Sequence, residues 1–135
     1  MSTLFHILRF PILVFFVNAV FDTKGIYYTF LWIDMPMHFL GGVSIAVAGA
    51  QFLAYLQERG LVGKLPFLFH AFFVMSFVGL AAVLWELWEF ARDYLARTST
   101  QVNLPDTMID MFFGLLGGFI ALVVLFFFRK SRNKR

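Results

Sequence analysis

Residues Thr107–Phe128 read TMIDMFFGLLGGFIALVVLFFF, with Asp110 as the one charged side chain in the run. A membrane-spanning helix needs about 20 mainly apolar residues, because the hydrocarbon core is about 30 Å thick. This run meets that requirement, and three other stretches match it: about Leu4–Phe21, broken by Arg9 and Pro11, about Met35–Leu56, and about Pro66–Ala91. The expected fold class is therefore all-α, a polytopic membrane protein built as a compact bundle of about four transmembrane helices. Residues 1–128 form one domain on this reading and 129–135 a basic tail.

Composition points the same way. Hydrophobic residues make up 61% of the 135-residue chain and charged residues 14%, against roughly 45–50% and about 25% in an ordinary soluble domain. A soluble core of this size could not hide twenty phenylalanines among so many other apolar residues. There is no cysteine, which excludes disulfides, thiolate metal sites and thiol nucleophiles. The net charge of +3 resides largely in the tail Arg129-Lys130-Ser131-Arg132-Asn133-Lys134-Arg135, read as a topology anchor in contact with membrane lipid rather than a nucleic-acid site.

Pro36 and Pro66 fall where proline is tolerated, in a first helical turn. Asp34 and Asp106 are placed to cap the helices that follow them. The first span has two readings. It is either a retained helix or a signal peptide with Val17-Asn18-Ala19 before a cleavage site, and the retained helix is preferred because no secreted-type domain follows. Orientation follows from the basic residues. Arg59, Lys64 and the tail outweigh Lys24, Arg92 and Arg97, so both termini are expected in the cytoplasm. Trp32, Trp85 and Trp88 fall at the opposite boundary, where tryptophan concentrates.

Six of the eight acidic residues lie at that extracytoplasmic boundary: Asp34, then Glu86, Glu89 and Asp93, then Asp106 and Asp110. Asp34 and His38 share a helix face, and Gly41, Gly42 and Gly49 continue the stripe. Gly79 and Ala82 precede Glu86 on one side of the third span, and Gly114, Gly117 and Ala121 follow Asp110 on the fourth. Small residues let membrane helices approach closely, so the three stripes are expected to face inward with the acids crowded at one mouth. Crowded carboxylates need a neutralising charge. The expected ligands of a divalent metal are Asp34, His38, Glu86, Glu89, Asp106 and Asp110, with Mg²⁺, Mn²⁺, Ca²⁺ or Zn²⁺ compatible with that donor set.

Two classes of function stay open. As an enzyme the chain would be a metal-dependent hydrolase or phosphoesterase at the membrane surface, acting on a lipid-linked or phosphate-containing substrate. Glu86 and Glu89 would be catalytic, and Arg92 or Arg97 would bind a substrate phosphate. Without chemistry, the same acids would bind a proton or cation for transport, or hold the helices together as a scaffold. Four short helices make a thin transport pathway unless the chain forms a homo-oligomer. Asn103, just before Asp106, reads as an extra ligand or a turn residue, the turn being preferred, and Asn18 as an interhelical hydrogen-bonding group.

Asp34-x-x-x-His38-Phe-x-Gly, Trp85-Glu86-x-x-Glu89 and Asp106-Thr107-x-x-Asp110-Met111, with Gly114 and Gly117-Gly118, together resemble the YjdF-like family of bacterial inner-membrane proteins, to which no biochemical activity is assigned. The likeness covers about residues 30–120. More distantly the chain is similar to VanZ-like proteins, associated with glycopeptide antibiotic resistance, but Glu89 stands where Gln is expected and Asp110 where Asn is expected. Both departures add negative charge and suit cation binding. The resemblance implies an inner-membrane location and a shared site at the six ligand residues named above.

Overall fold

The structure, a computed structural model, describes residues 3–132, with side chains through residue 127. The basic residues expected as a tail lie outside the described side chains, and α5 carries helical backbone as far as Arg132. The chain forms α1 (Thr3–Thr23), a single-turn α2 (Ile26–Thr29), a 3₁₀ turn at Leu31–Ile33, α3 (Asp34–Glu58), α4 (Phe67–Ala96) and α5 (Leu104–Arg132). Four of these helices are long and apolar enough to cross a membrane, and no strand occurs among the described residues. Large apolar side chains such as Phe16, Leu68 and Phe72 are exposed around the bundle. A water-soluble surface would not carry so continuous an apolar band; lipid is its solvent.

The connections make the long helices alternate in direction. Gly60, at φ 69°, ends α3 in the left-handed region, while the Arg59 and Leu61 amides donate to the Tyr55 and Leu56 carbonyls. Arg97 ends α4 at φ 54°, an uncommon conformation for a residue with a Cβ. Pro66 stands just before the first turn of α4. One end of the bundle therefore gathers the start of α3, the end of α4 and the start of α5.

The α3–α5 pair forms the closest seam. A Cβ on Gly42 would overlap the Gly114 carbonyl, and one on Gly117 would overlap the Phe39 carbonyl. Gly118 takes the Val78 side chain of α4, whose Cγ1 would sit 2.7 Å from an added Cβ. Beyond the seam lies a small core of Ala46, Val74, Val78, Ala121 and Leu122. The small-residue stripes of α3 and α5 thus do bring two backbones together, while α4 packs on them through side chains and a Cβ at Gly41, expected in the α3 stripe, would meet nothing within 4 Å; dispersion across these contacts holds the bundle. Helix α1 leans chiefly on α3, burying Ile7. It meets α4 at the edge-to-face rings of Phe15 and Trp85 and through Asp22, whose carboxylate accepts from Arg92 at 2.7 Å.

Candidate functional site

His38 stands one turn into α3, with its ring between two groups of acids. Its Nε2 lies 3.5 Å from Asp34 Oδ1 on the same helix, and its Nδ1 lies 3.9 Å from Glu86 Oε1 on α4. Asp110 of α5 completes one triplet with Asp34 and His38, and Glu89 of α4 completes a second with His38 and Glu86. Within each triplet, one ligand atom per residue falls within 4.8 Å of the other two. The site is inside the bundle: Glu86 and Glu89 are each 6% exposed and Asp110 only 3%.

Local structure explains how these groups are held. The seam at Gly42 and Gly114 sets α3 and α5 close enough for His38 and Asp110 to share a space. The Trp85 indole N–H donates to Glu89 Oε1 at 2.9 Å, and the Trp85 ring stands edge-on to His38. Gln101 reaches back from the α4–α5 loop and donates to Glu86 Oε2 at 3.0 Å and to the Glu86 carbonyl. The other carboxylate oxygen, Glu86 Oε1, is buried and has no hydrogen-bond partner.

Tyr27, on α2, lies near enough to feel the charge of the site. Its hydroxyl donates to Asn18 Oδ1, which ties α2 back onto α1. Burial, and then the negative charge of Asp34, Glu89 and Asp22, push that hydroxyl far above the ordinary tyrosine range, so it stays a donor.

The other expected residues are placed elsewhere. Asp106 belongs to neither triplet, although it lies one turn before Asp110. Asp93 serves the loop: its carboxylate accepts from the Thr98 hydroxyl and from the Thr100 and Gln101 amides. Arg92 donates to Asp22 and Thr100, and its Nε has no partner. Arg97 is exposed at the end of α4.

Capping departs from expectation. Ile33 precedes α3 in helical conformation, so Asp34 is already in the helix and makes no cap bond. For α5 the cap is Asn103, whose Oδ1 accepts from the Asp106 amide at 3.1 Å. Asn103 is therefore the residue that caps α5 where the chain turns into the helix.

Three contacts around the site had no clear signal in the sequence. Gln101 sits in a polar loop with several equivalent candidates. Asp22 and Arg92 are seventy residues apart, and only the fold pairs them. Trp85 reads as a boundary aromatic; its i,i+4 spacing to Glu89 was the available clue.

A family of sequences described as "Predicted membrane protein (DUF2238)" matches residues 2–131. The chain belongs to that family, which also contains the YjdF-like proteins; the match does not extend to VanZ-like proteins. No curated protein and no solved structure matches the chain.

Proposed function

We propose that this membrane protein holds a divalent metal ion at the His38–Glu86–Glu89 triplet, on the Nδ1 side of the imidazole that faces Glu86; Asp34, on the Nε2 side, and Asp110 form a separate triplet with His38 and are the second candidate ligand set. The ion serves chemistry on a lipid-linked or phosphate-containing substrate. The observation that carries this reading is Glu86 Oε1, buried, without a hydrogen bond and 3.9 Å from His38 Nδ1. A buried acceptor left without a hydrogen bond costs about 1–3 kcal/mol, more where the group is charged. A cation at that oxygen removes the cost.

Donor spacing bears on the ion. Two donors on one ion lie at most twice the bond length apart, which is about 5.2 Å for Ca²⁺ and about 4.2 Å for Mg²⁺. Three donors at the 4.8 Å limit would stand about 2.8 Å from a common centre, so a triplet that wide must draw in by a few tenths of an ångström on Ca²⁺ and by more on Mg²⁺. The imidazole favours Mn²⁺ or Zn²⁺ over Mg²⁺ and Ca²⁺, which prefer oxygen alone.

The ion would polarise a phosphoryl oxygen or lower the pKa of a bound water. Glu86 and Glu89 are the candidates to take the proton from that water, Glu89 being oriented by Trp85. A phosphate-holding role for Arg92 requires it to leave Asp22. By the basic-residue count, the site faces the extracytoplasmic side of an inner membrane.

The position of His38 between Asp34 and Glu86 favours one second reading. An imidazolium, rather than a metal, would then neutralise the acids, and the site would bind a proton for transport or tie the helices together. Calorimetric titration of chelator-stripped protein with Mg²⁺, Ca²⁺, Mn²⁺ and Zn²⁺ separates the two. Saturable binding of one ion per chain, lost in Glu86→Gln, supports the metal site. Metal-dependent phosphate release from lipid phosphates, lost in the same variant, supports chemistry. Failure of all four ions to bind leaves the imidazolium reading.

A further inference from the structure

Helices α1, α3 and α4 leave a cavity of about 360 Å³ between them. That lies within the roughly 300–1,000 Å³ of small-molecule sites. Its wall on α3 runs from Met37 to Ile45, about 12 Å along the helix axis at about 1.5 Å per residue. The other walls are apolar, with Ile12 and Phe15 on α1 and Ala81 on α4. Polar groups gather at one end, where Asn18 and His38 face the space. Ser44 also lines it, but its hydroxyl donates to the Gly41 carbonyl at 2.8 Å.

The sequence builds this space on purpose-sized residues. Gly41 lines it, and a Cβ added there would meet nothing within 4 Å. Its neighbour Gly42 has no such freedom. The Phe15–Trp85 ring contact stands at the polar end of the cavity and props α1 away from α4. Lining atoms without partners forfeit dispersion energy, so a void of this size inside a lipid-bathed bundle draws in hydrocarbon. The slot cannot take a helix, which is about 10–12 Å wide with its side chains. Apart from Ser44, its polar lining is also confined to one end, which cannot satisfy the whole of an extended peptide backbone at this depth.

His38 forms both the polar end of the cavity and the centre of the acidic cluster. A chain lying in the slot therefore delivers its headgroup to the proposed metal. Four carboxylates repel an anionic headgroup unless a cation intervenes, whereas a bound divalent ion attracts it. We infer that the cavity takes one hydrocarbon chain of a membrane amphiphile and places its phosphate headgroup at His38. The headgroup half of this inference rests on the metal site; the chain half does not.

The test uses full-length protein in lipid nanodiscs with a single-chain alkyl phosphate carrying a photoreactive diazirine along the chain. The matching alkyl alcohol is the headgroup control. With divalent metal present, crosslinks should concentrate on Ile12, Phe15, Ile45 and Ala81. Gly41→Leu and Ala81→Leu, which fill the slot from two walls, should abolish that labelling while metal content stays unchanged. Stripping the metal should reduce the phosphate probe to the level of the alcohol.

Labelling spread evenly over outward-facing Phe16, Leu84 and Phe119, and indifferent to both fillings, overturns the inference. Cavity labelling that is equal for both probes with metal bound overturns the headgroup half. Persistent alcohol labelling in a protein that binds no metal sinks the metal site and supports the chain site.

Discussion

Gly41 and Gly42 are neighbours on α3, yet alanine at the two positions should change stability in opposite directions. At Gly42 a new Cβ falls into the Gly114 carbonyl, with the carbonyl carbon at 2.7 Å against the 3.4 Å at which ordinary contact begins. The carbonyl carbon alone asks α3 and α5 to part by about 0.7 Å, and the carbonyl oxygen, nearer still, asks for more; the obstacle is backbone and has no rotamer to yield. A gap of about 0.5–1 Å forfeits about a quarter to a half of each contact it opens. Overpacking of this kind costs about 3 kcal/mol at the upper end of its usual range. Alanine returns about 1 kcal/mol of helix propensity. Gly42→Ala should therefore lose about 2 kcal/mol, whereas Gly41→Ala, with open space around its Cβ, should gain up to about 1 kcal/mol.

Reversible unfolding in mixed micelles, followed by tryptophan fluorescence, measures both variants. Gly42→Ala should also weaken metal binding, because His38 and Asp110 face each other across the same seam. Equal stability of the two variants, or a larger loss at Gly41, would refute the packing on which the site depends.

Three further outcomes are expected. Trp85→Phe removes the donor at 2.9 Å from Glu89 Oε1; it should cost about 1–3 kcal/mol in the same unfolding assay, the penalty of a buried acceptor left unmade. Asp93→Ala frees the Thr100 and Gln101 amides and with them the Gln101 contact to Glu86. Hydrogen exchange across residues 98–103 should speed up while exchange in the middle of α3 stays slow. Glu86→Gln should reverse sign with metal. In chelator it should stabilise the protein, because a neutral amide, whose NH2 can donate to His38, takes the place of a buried charge with an oxygen that no hydrogen bond satisfies. With metal at about a hundredfold its Kd, the unsubstituted protein should gain about 2.7 kcal/mol that the variant does not.

Much of the architecture was legible because lipid imposes a length on each helix. Runs of apolar residues marked the four spans, and the alternation of short connections placed Asp34, the Glu86–Asp93 segment and Asp110 at one end. The glycine stripes were legible for a related reason: at Gly42 and Gly117 only the absence of a Cβ lets α3 and α5 touch. Which acids enter the centre was not. Asp93 follows Glu89 by one helical turn and shares its face, so spacing alone groups them. The left-handed turn at Arg97 decides otherwise, since it folds Thr98–Gln101 back over Asp93. Asp106 likewise repeats the spacing of Asp110 but lies a turn nearer the helix end, outside both triplets. The cavity had no sequence signal at all, because it arises from the stance of α1 against α3 and α4.

Elemental analysis of the purified protein, compared with Glu89→Gln and Asp106→Asn, tests the central claim most directly. The metal site predicts one divalent ion per chain in the unsubstituted protein, retention of it in Asp106→Asn and its loss in Glu89→Gln. Absence of metal from all three, after purification with the ion supplied, would contradict it.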